Sequence, residues 1–197
     1  MADFTSIAAV CSSIVRYLDF CFREQQPILD HSTSVRLLRT EDLNSETSSL
    51  ITPPTLSLYL YRIDFNKVMR AAWGAVSQYD GRSHLPLDLH FLLIAWGSNA
   101  DHELRILGRA LQCMEDTPIL TGPLLDPITP WESNESIQVC LEDISTEDLM
   151  RTFDSLPLDY KLSIPYVARI AVINGATPDL DPRVARLTSG RTPAVEE

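Results

Sequence analysis

Asp88 and His90 are the pair whose spacing comes closest to chemistry. Two positions apart on a strand, their side chains leave the same face, as a base with its orienting carboxylate or half a metal site requires. No nearby Ser, Cys or second His completes either arrangement, so they read as polar neighbours on a solvated or interface-facing strand. Tyr59 and Tyr61 share a face and could stack a flat ligand. Their large apolar bodies with polar tips suit a core or a subunit interface better. Arg105 and Arg109, four apart on a helix, could clamp an anion. Such pairs more often lie along the surface or form exposed ion pairs worth well under ~1 kcal/mol. His102 and Glu103 fall in the first turn of that helix, with Asp101 as its expected cap, and His31 and His84 fall in loops.

The remaining composition argues against an assembled reacting centre. The seven glycines form no phosphate loop or dinucleotide fingerprint, and there is no nucleophile elbow, H-E-x-x-H or calcium loop. Cys11, Cys21, Cys113 and Cys140 are far apart, without the short spacings of a zinc site or the density of a disulfide framework, and read as core thiols. No enzyme activity, cofactor or metal is expected. The formal charge is −11, from 27 acidic and 16 basic residues, and Lys67 and Lys161 are the only lysines. Nucleic acid is therefore a poor partner, and an anionic membrane surface is disfavoured. No run approaches the ~20 apolar residues of a membrane span. The Met-Ala-Asp-Phe start carries no secretory pattern. Synthesis in the cytoplasm is expected, with later departure as part of a larger particle still open.

The elements that position these residues follow from periodicity. Phe4, Ile7, Cys11, Ile14, Val15, Leu18, Cys21 and Phe22 mark one stripe of an amphipathic helix, started by Asp3 or Thr5 and ended at Gln25-Gln26-Pro27. Val35 to Leu38 has the makings of a short strand. Residues 56–65 have strand composition with both faces apolar, which suits a central strand. From Leu85 to Trp96, Leu85, Leu87, Leu89, Phe91 and Leu93 share one face, and Asp88, His90, Leu92, Ile94 and Trp96 the other. A turn is expected at Tyr79-Asp80-Gly81-Arg82. The helix after Asp101 carries Leu104, Leu107, Leu111 and Met114, widened by Ile106, Ala110 and Cys113. The proline-rich stretch 118–130 excludes regular helix or central strand. Ile137, Val139 and Leu141 alternate as a strand, and Ser145 caps a short helix bearing Leu149, Met150 and Phe153. Leu162, Ile164, Tyr166, Ala168, Ile170 and Val172 alternate in a last strand, where Pro165 suggests an edge or a bulge.

The sum is an α/β or α+β single domain, a mixed sheet of about four strands with flanking helices. It spans 1–174, and 175–197 reads as a flexible tail.

Three stretches together resemble the cap, or tail-terminator, proteins of extracellular contractile injection systems. The first is Leu58-Tyr59-Leu60-Tyr61-Arg62-Ile63 with Asn66 and Arg70. The second is Leu85-Pro86-Leu87-Asp88-Leu89-His90-Phe91-Leu92-Leu93, continued by Leu107-Gly108-Arg109-Ala110-Leu111 and Asp116-Thr117-Pro118-Ile119-Leu120. The third runs from Ser145-Thr146-Glu147-Asp148-Leu149 through Tyr160 to Leu162-Ser163-Ile164-Pro165-Tyr166. Ala71 stands where that family usually has Asn, Phe91 where it commonly has Tyr, and Phe153 where it commonly has Trp. The resemblance covers roughly residues 3–174. It implies a sixfold ring of identical subunits that closes the tube and sheath at the end distal to the baseplate. It implies no catalysis, no nucleic acid and no direct membrane insertion. Tyr59, Tyr61, Asn66, Arg70, Asp88, His90 and Tyr166 are the expected subunit, tube or sheath contacts. The irregular segments 40–54, 118–131 and 174–197 are the expected arms. A baseplate or cargo adaptor, a small enzyme built on Asp88 and His90, and an acidic immunity protein are the competing readings.

Overall fold

The computed structural model describes residues 3–44, 51–69 and 84–174. Among them the regular elements run α1 (Ser6–Glu24), β1 (Ser34–Leu38), β2 (Thr55–Phe65), β3 (His84–Trp96), α2 (Ala100–Asp116), β4 (Ile119–Thr121), β5 (Ser136–Leu141), α3 (Thr146–Asp154) and β6 (Ser163–Asn174). The strands form one mixed sheet in the order β1-β2-β3-β6-β5-β4, in which β1 runs parallel to β2 and every other pairing is antiparallel. The α/β class is as expected. The sheet has six strands among the described residues rather than about four, because β4 is only three residues inside the proline-rich stretch and too short to show a period. The turn expected at 79–82, the position of Arg70 and the tail at 175–197 lie outside the described residues.

The alternation along β3 divides the core in two. Leu87, Leu89, Phe91 and Leu93 meet the buried stripe of α1 (Val10, Ile14, Leu18, Phe22) and that of α2 (Ile106, Leu107, Ala110, Cys113). Leu92, Ile94 and Trp96, on the opposite face, pack with Leu38, Leu43, Tyr59 and Phe153 of α3. Only the half of this second face near Trp96 is covered by that cluster.

Several expectations need correcting. Phe4 is 83% exposed because α1 begins at Ser6, so Phe4 precedes the helical phase. Asp3 Oδ1 accepts from the Thr5 N–H at 2.8 Å, while Thr5 makes no side-chain cap bond. In α2 the cap is Asn99, whose Oδ1 accepts from the His102 N–H at 2.9 Å, not Asp101. Leu104 lies ~200° around the helix from Ile106 and is exposed. Along β6 the expected alternation fails after Arg169: a register shift opposite Leu87 and Asp88 puts Ala171 in the core and leaves Val172 half-buried. β2 is buried from Thr55 to Tyr59 but exposed from Arg62 to Phe65.

Pro165 is inside the sheet order, yet its O accepts from the Glu142 N–H just beyond β5. The proline nitrogen therefore faces the side where β5 pairing stops, which is a local edge. The 118–131 segment is folded down rather than free. Leu125 and Thr129 are buried, Asp126 N–H donates to Ser13 Oγ at 2.7 Å and Thr129 Oγ1 lies 2.5 Å from Thr5 Oγ1.

Candidate functional site

The uncovered half of the second sheet face carries most of the polar residues singled out in the sequence. Its composition depends on a bulge in β2. Leu60 pairs with Phe91 and Arg62 with His90, so Tyr61 is an extra residue on the β2 side. Strict alternation would send Arg62 to the face of Leu58 and Leu60, against the helices. The inserted residue re-aims it onto the face of His90.

Around His90 the side chains form one ion network. His90 Nδ1 lies 2.8 Å from Glu142 Oε1 and 3.1 Å from Arg62 Nη2, and its Nε2 lies 3.3 Å from Asp64 Oδ2. Arg62 reaches Glu142 at 3.0 Å through Nη2 and Asp64 at 3.0 Å through Nε. Tyr61 O–H donates to Glu142 Oε2 at 2.8 Å, and its ring meets that of His90 edge-on at 6.3 Å. Burial first, then the hydrogen bond to Glu142, pushes the Tyr61 hydroxyl far above its ordinary range. It stays neutral and donates.

One row further along, Asp88 stands between Asp64 on β2 and Arg169 on β6 in the pairing register. Asn66 Nδ2 donates to both Asp88 oxygens, at 3.2 and 3.1 Å, and Asn66 Oδ1 accepts from the Met69 N–H at 2.9 Å. Asp64, Asn66, Asp88, His90 and Arg169 line an open groove of about 640 Å³, with Phe65, Lys67 and Val68 at its rim.

Of the residues picked out from sequence, the fold thus brings together Tyr61, Asn66, Asp88 and His90. Asp88 and His90 share a face but take different partners, Asn66 and Glu142. Tyr59 and Tyr166 are elsewhere and inside the protein. Tyr59 O–H faces Thr40 Oγ1 at 3.1 Å within the second core cluster. Tyr166 stacks on Phe91 at 5.7 Å, and burial pushes its hydroxyl up to about 12. Arg105 and Arg109 do not converge: Arg105 pairs with Asp101 at 2.7 Å, and Arg109 donates to Cys21 O and Gln112 Oε1. Sequence reasoning missed Arg62, Asp64 and Glu142. The first two follow only once the bulge is known, and Glu142 arrives from 52 residues away.

This arrangement can hold a charged or hydrogen-bonding surface in a fixed shape. Each nitrogen of His90 is engaged by the network, and no hydroxyl or thiol nucleophile is placed against it among the contacts of the described residues. Among the described residues no three His, Cys, Asp or Glu side chains are arranged so that they could hold a metal ion.

Comparison with known proteins supplies the wider context. The family model for the Pvc16 N-terminal domain matches residues 9–186. Among solved structures, the chain is similar to the sheath/tube terminator of PVC, an extracellular contractile injection system, determined by cryo-electron microscopy in the extended state. The TM-score is 0.53 at 17% identity, over 94% of this chain and 63% of that one. The likeness is one of fold, and the chain spans less than two thirds of that terminator's length. No curated protein matches.

Proposed function

Because the chain belongs to the Pvc16 N-terminal domain family, we propose that it is a structural subunit whose ring closes the tube and sheath of a contractile injection particle at the end distal to the baseplate. The observation that carries this reading is the match over residues 9–186, joined to a fold similar to a sheath/tube terminator. The site geometry is in keeping with it: a rigid polar face tied by ion pairs suits docking, and nothing in it is poised to react. The ring has six copies, its partners are the tube and sheath proteins, and it acts without catalysis, cofactor, nucleic acid or membrane insertion. No described helix is long and apolar enough to cross a membrane. The subunit is made in the cytoplasm and leaves as part of the assembled particle.

Tyr61, Asn66, Asp88 and His90 present the contact face, with Arg62, Asp64 and Glu142 fixing its shape. Tyr59 and Tyr166 support it from within. Arg70, also expected as a contact, lies outside the described residues. The test is electron microscopy of particles made without this protein. A terminator leaves tubes of uncontrolled length, or sheaths that do not stay extended. Normal tubes lacking only their cargo would instead identify an adaptor and overturn the proposal.

A further inference from the structure

The two edges of the sheet carry opposite charge. At one edge, α1 and β1 enclose a groove of about 380 Å³ lined by Arg16, Arg23 and Arg36, with Asp19 the single carboxylate among its lining residues. Arg16 is 3.4 Å from Asp126 and Arg23 is 2.5 Å from Asp19, while exposed Arg36 has no ion-pair partner among the described residues. Thr33, in the wall of the same groove, is 3% exposed, and its hydroxyl has no hydrogen-bond partner among the described residues. Three guanidinium groups, Arg36 among them without an ion-pair partner among the described residues, are donors suited to a further carboxylate. They are conspicuous in a chain of charge −11.

At the other edge lie β5 and β4. The stretch 110–150, which includes β4 and β5, contains nine carboxylates and no lysine or arginine, with Asp126 spent on Arg16 and Glu142 on Arg62 and His90. Asp116 precedes β4, Glu132 precedes β5 and Asp143 follows it, all three exposed. Each edge also shows apolar surface suited to a dry contact: Leu37 at β1, Ile119 and Leu141 at the other. Among the described residues no strand pairs with the outer side of either β1 or β4.

We propose that the occupant of the basic groove is a second copy of this chain. Its acidic β4–β5 flank packs against the β1 edge of its neighbour and seats a carboxylate among Arg16, Arg23 and Arg36. The two surfaces differ, so the contact is head-to-tail and each subunit keeps one free edge of each kind until a ring closes. Complementary charge sets the direction of addition and repels edge-to-edge contacts of like kind. The proposal deepens the ring reading above and rests on it.

The full chain is compared in sedimentation with two doubly charge-reversed variants, Arg23→Glu/Arg36→Glu and Glu132→Arg/Asp143→Arg. All four positions are away from the buried core, and circular dichroism checks the fold of each. The wild type is expected to assemble, less well at high salt, and each variant alone to associate at least about tenfold more weakly. Mixed together, the two variants offer one native and one charge-swapped pair of edges, both complementary, so alternating co-assembly beyond the 1:1 dimer is expected. Wild-type-like assembly of Arg23→Glu/Arg36→Glu, or a mixture that stays monomeric, overturns the edge assignment and leaves the ring reading standing. A wild type that remains monomeric even beside polymerised tube overturns both.

Discussion

The Arg62 guanidinium stands 3.1 Å from His90 Nδ1 although simple alternation along β2 would send it to the opposite face. The extra residue at Tyr61 makes the contact possible and, with it, the bond from Arg62 to Glu142. Arg62 is 45% exposed and Glu142 12%, so the pair is screened on one side. Solvent discounts its energy toward that of a surface bridge. A double-mutant cycle of Arg62→Ala and Glu142→Ala in urea unfolding is expected to return a coupling of about 0.5–1 kcal/mol. Strict additivity would mean that the network does not hold in solution.

Gly97 is a packing requirement. A Cβ there would meet Glu103 Cγ, Glu103 N and His102 Cβ, each at 2.9 Å, and one of these is backbone at the start of α2. Gly97→Ala is expected to destabilise by about 1–3 kcal/mol, read as a lowered Tm. An unchanged Tm would show that the β3–α2 junction yields freely.

Ser163 is 7% exposed, and its hydroxyl has no hydrogen-bond partner among the described residues. Removing an orphaned buried hydroxyl relieves its desolvation cost. Ser163→Ala is therefore expected to raise stability by about 1 kcal/mol, seen as a higher urea midpoint at constant slope. Loss of stability would reveal a partner, such as a bound water.

Burial pushes the Cys11 thiol up to about 11, and burial followed by the neighbouring Cys21 pushes Cys113 up to about 12. Both favour the neutral thiol in the folded state. The unfolded thiol loses its proton first, near its ordinary value of 9.0. The stability these groups contribute is thus complete below about pH 9 and is lost as pH climbs through the folded values. Unfolding free energy is expected to fall between about pH 9 and 11, with a shallower fall in Cys11→Ala. Equal slopes for the two proteins would contradict the assignment.

What the sequence revealed and what it withheld divide along physical lines. β3 was legible because thirteen residues of regular alternation are buried on both faces near Trp96 and need one assignment only. The buried stripe of α2 was found but mis-centred, since Leu104 is as apolar as Leu107 and only packing tells them apart. Asn99 and Asp101 are equally good caps by residue type. The extra residue at Tyr61 left no mark, because aromatic and aliphatic residues fill both phases of β2. Without that bulge, Arg62, Asp64 and Glu142 had no reason to be grouped with His90, and a site half-built from Asp88 and His90 was all that spacing could offer. The charge contrast between sheet edges was present in the sequence as a 41-residue stretch without a base. It became a spatial statement only with the strand order.

Lys161 Nζ lies 2.5 Å from Glu103 Oε1 and 5.1 Å above the Trp96 ring, with its side chain only 22% exposed. The other lysine, Lys67, is exposed at the rim of the groove beside Asp88 and His90. Amine-directed labelling of the folded subunit will therefore mark Lys67 well ahead of Lys161. A cross-link formed from it inside an assembled particle will name whatever protein covers that face.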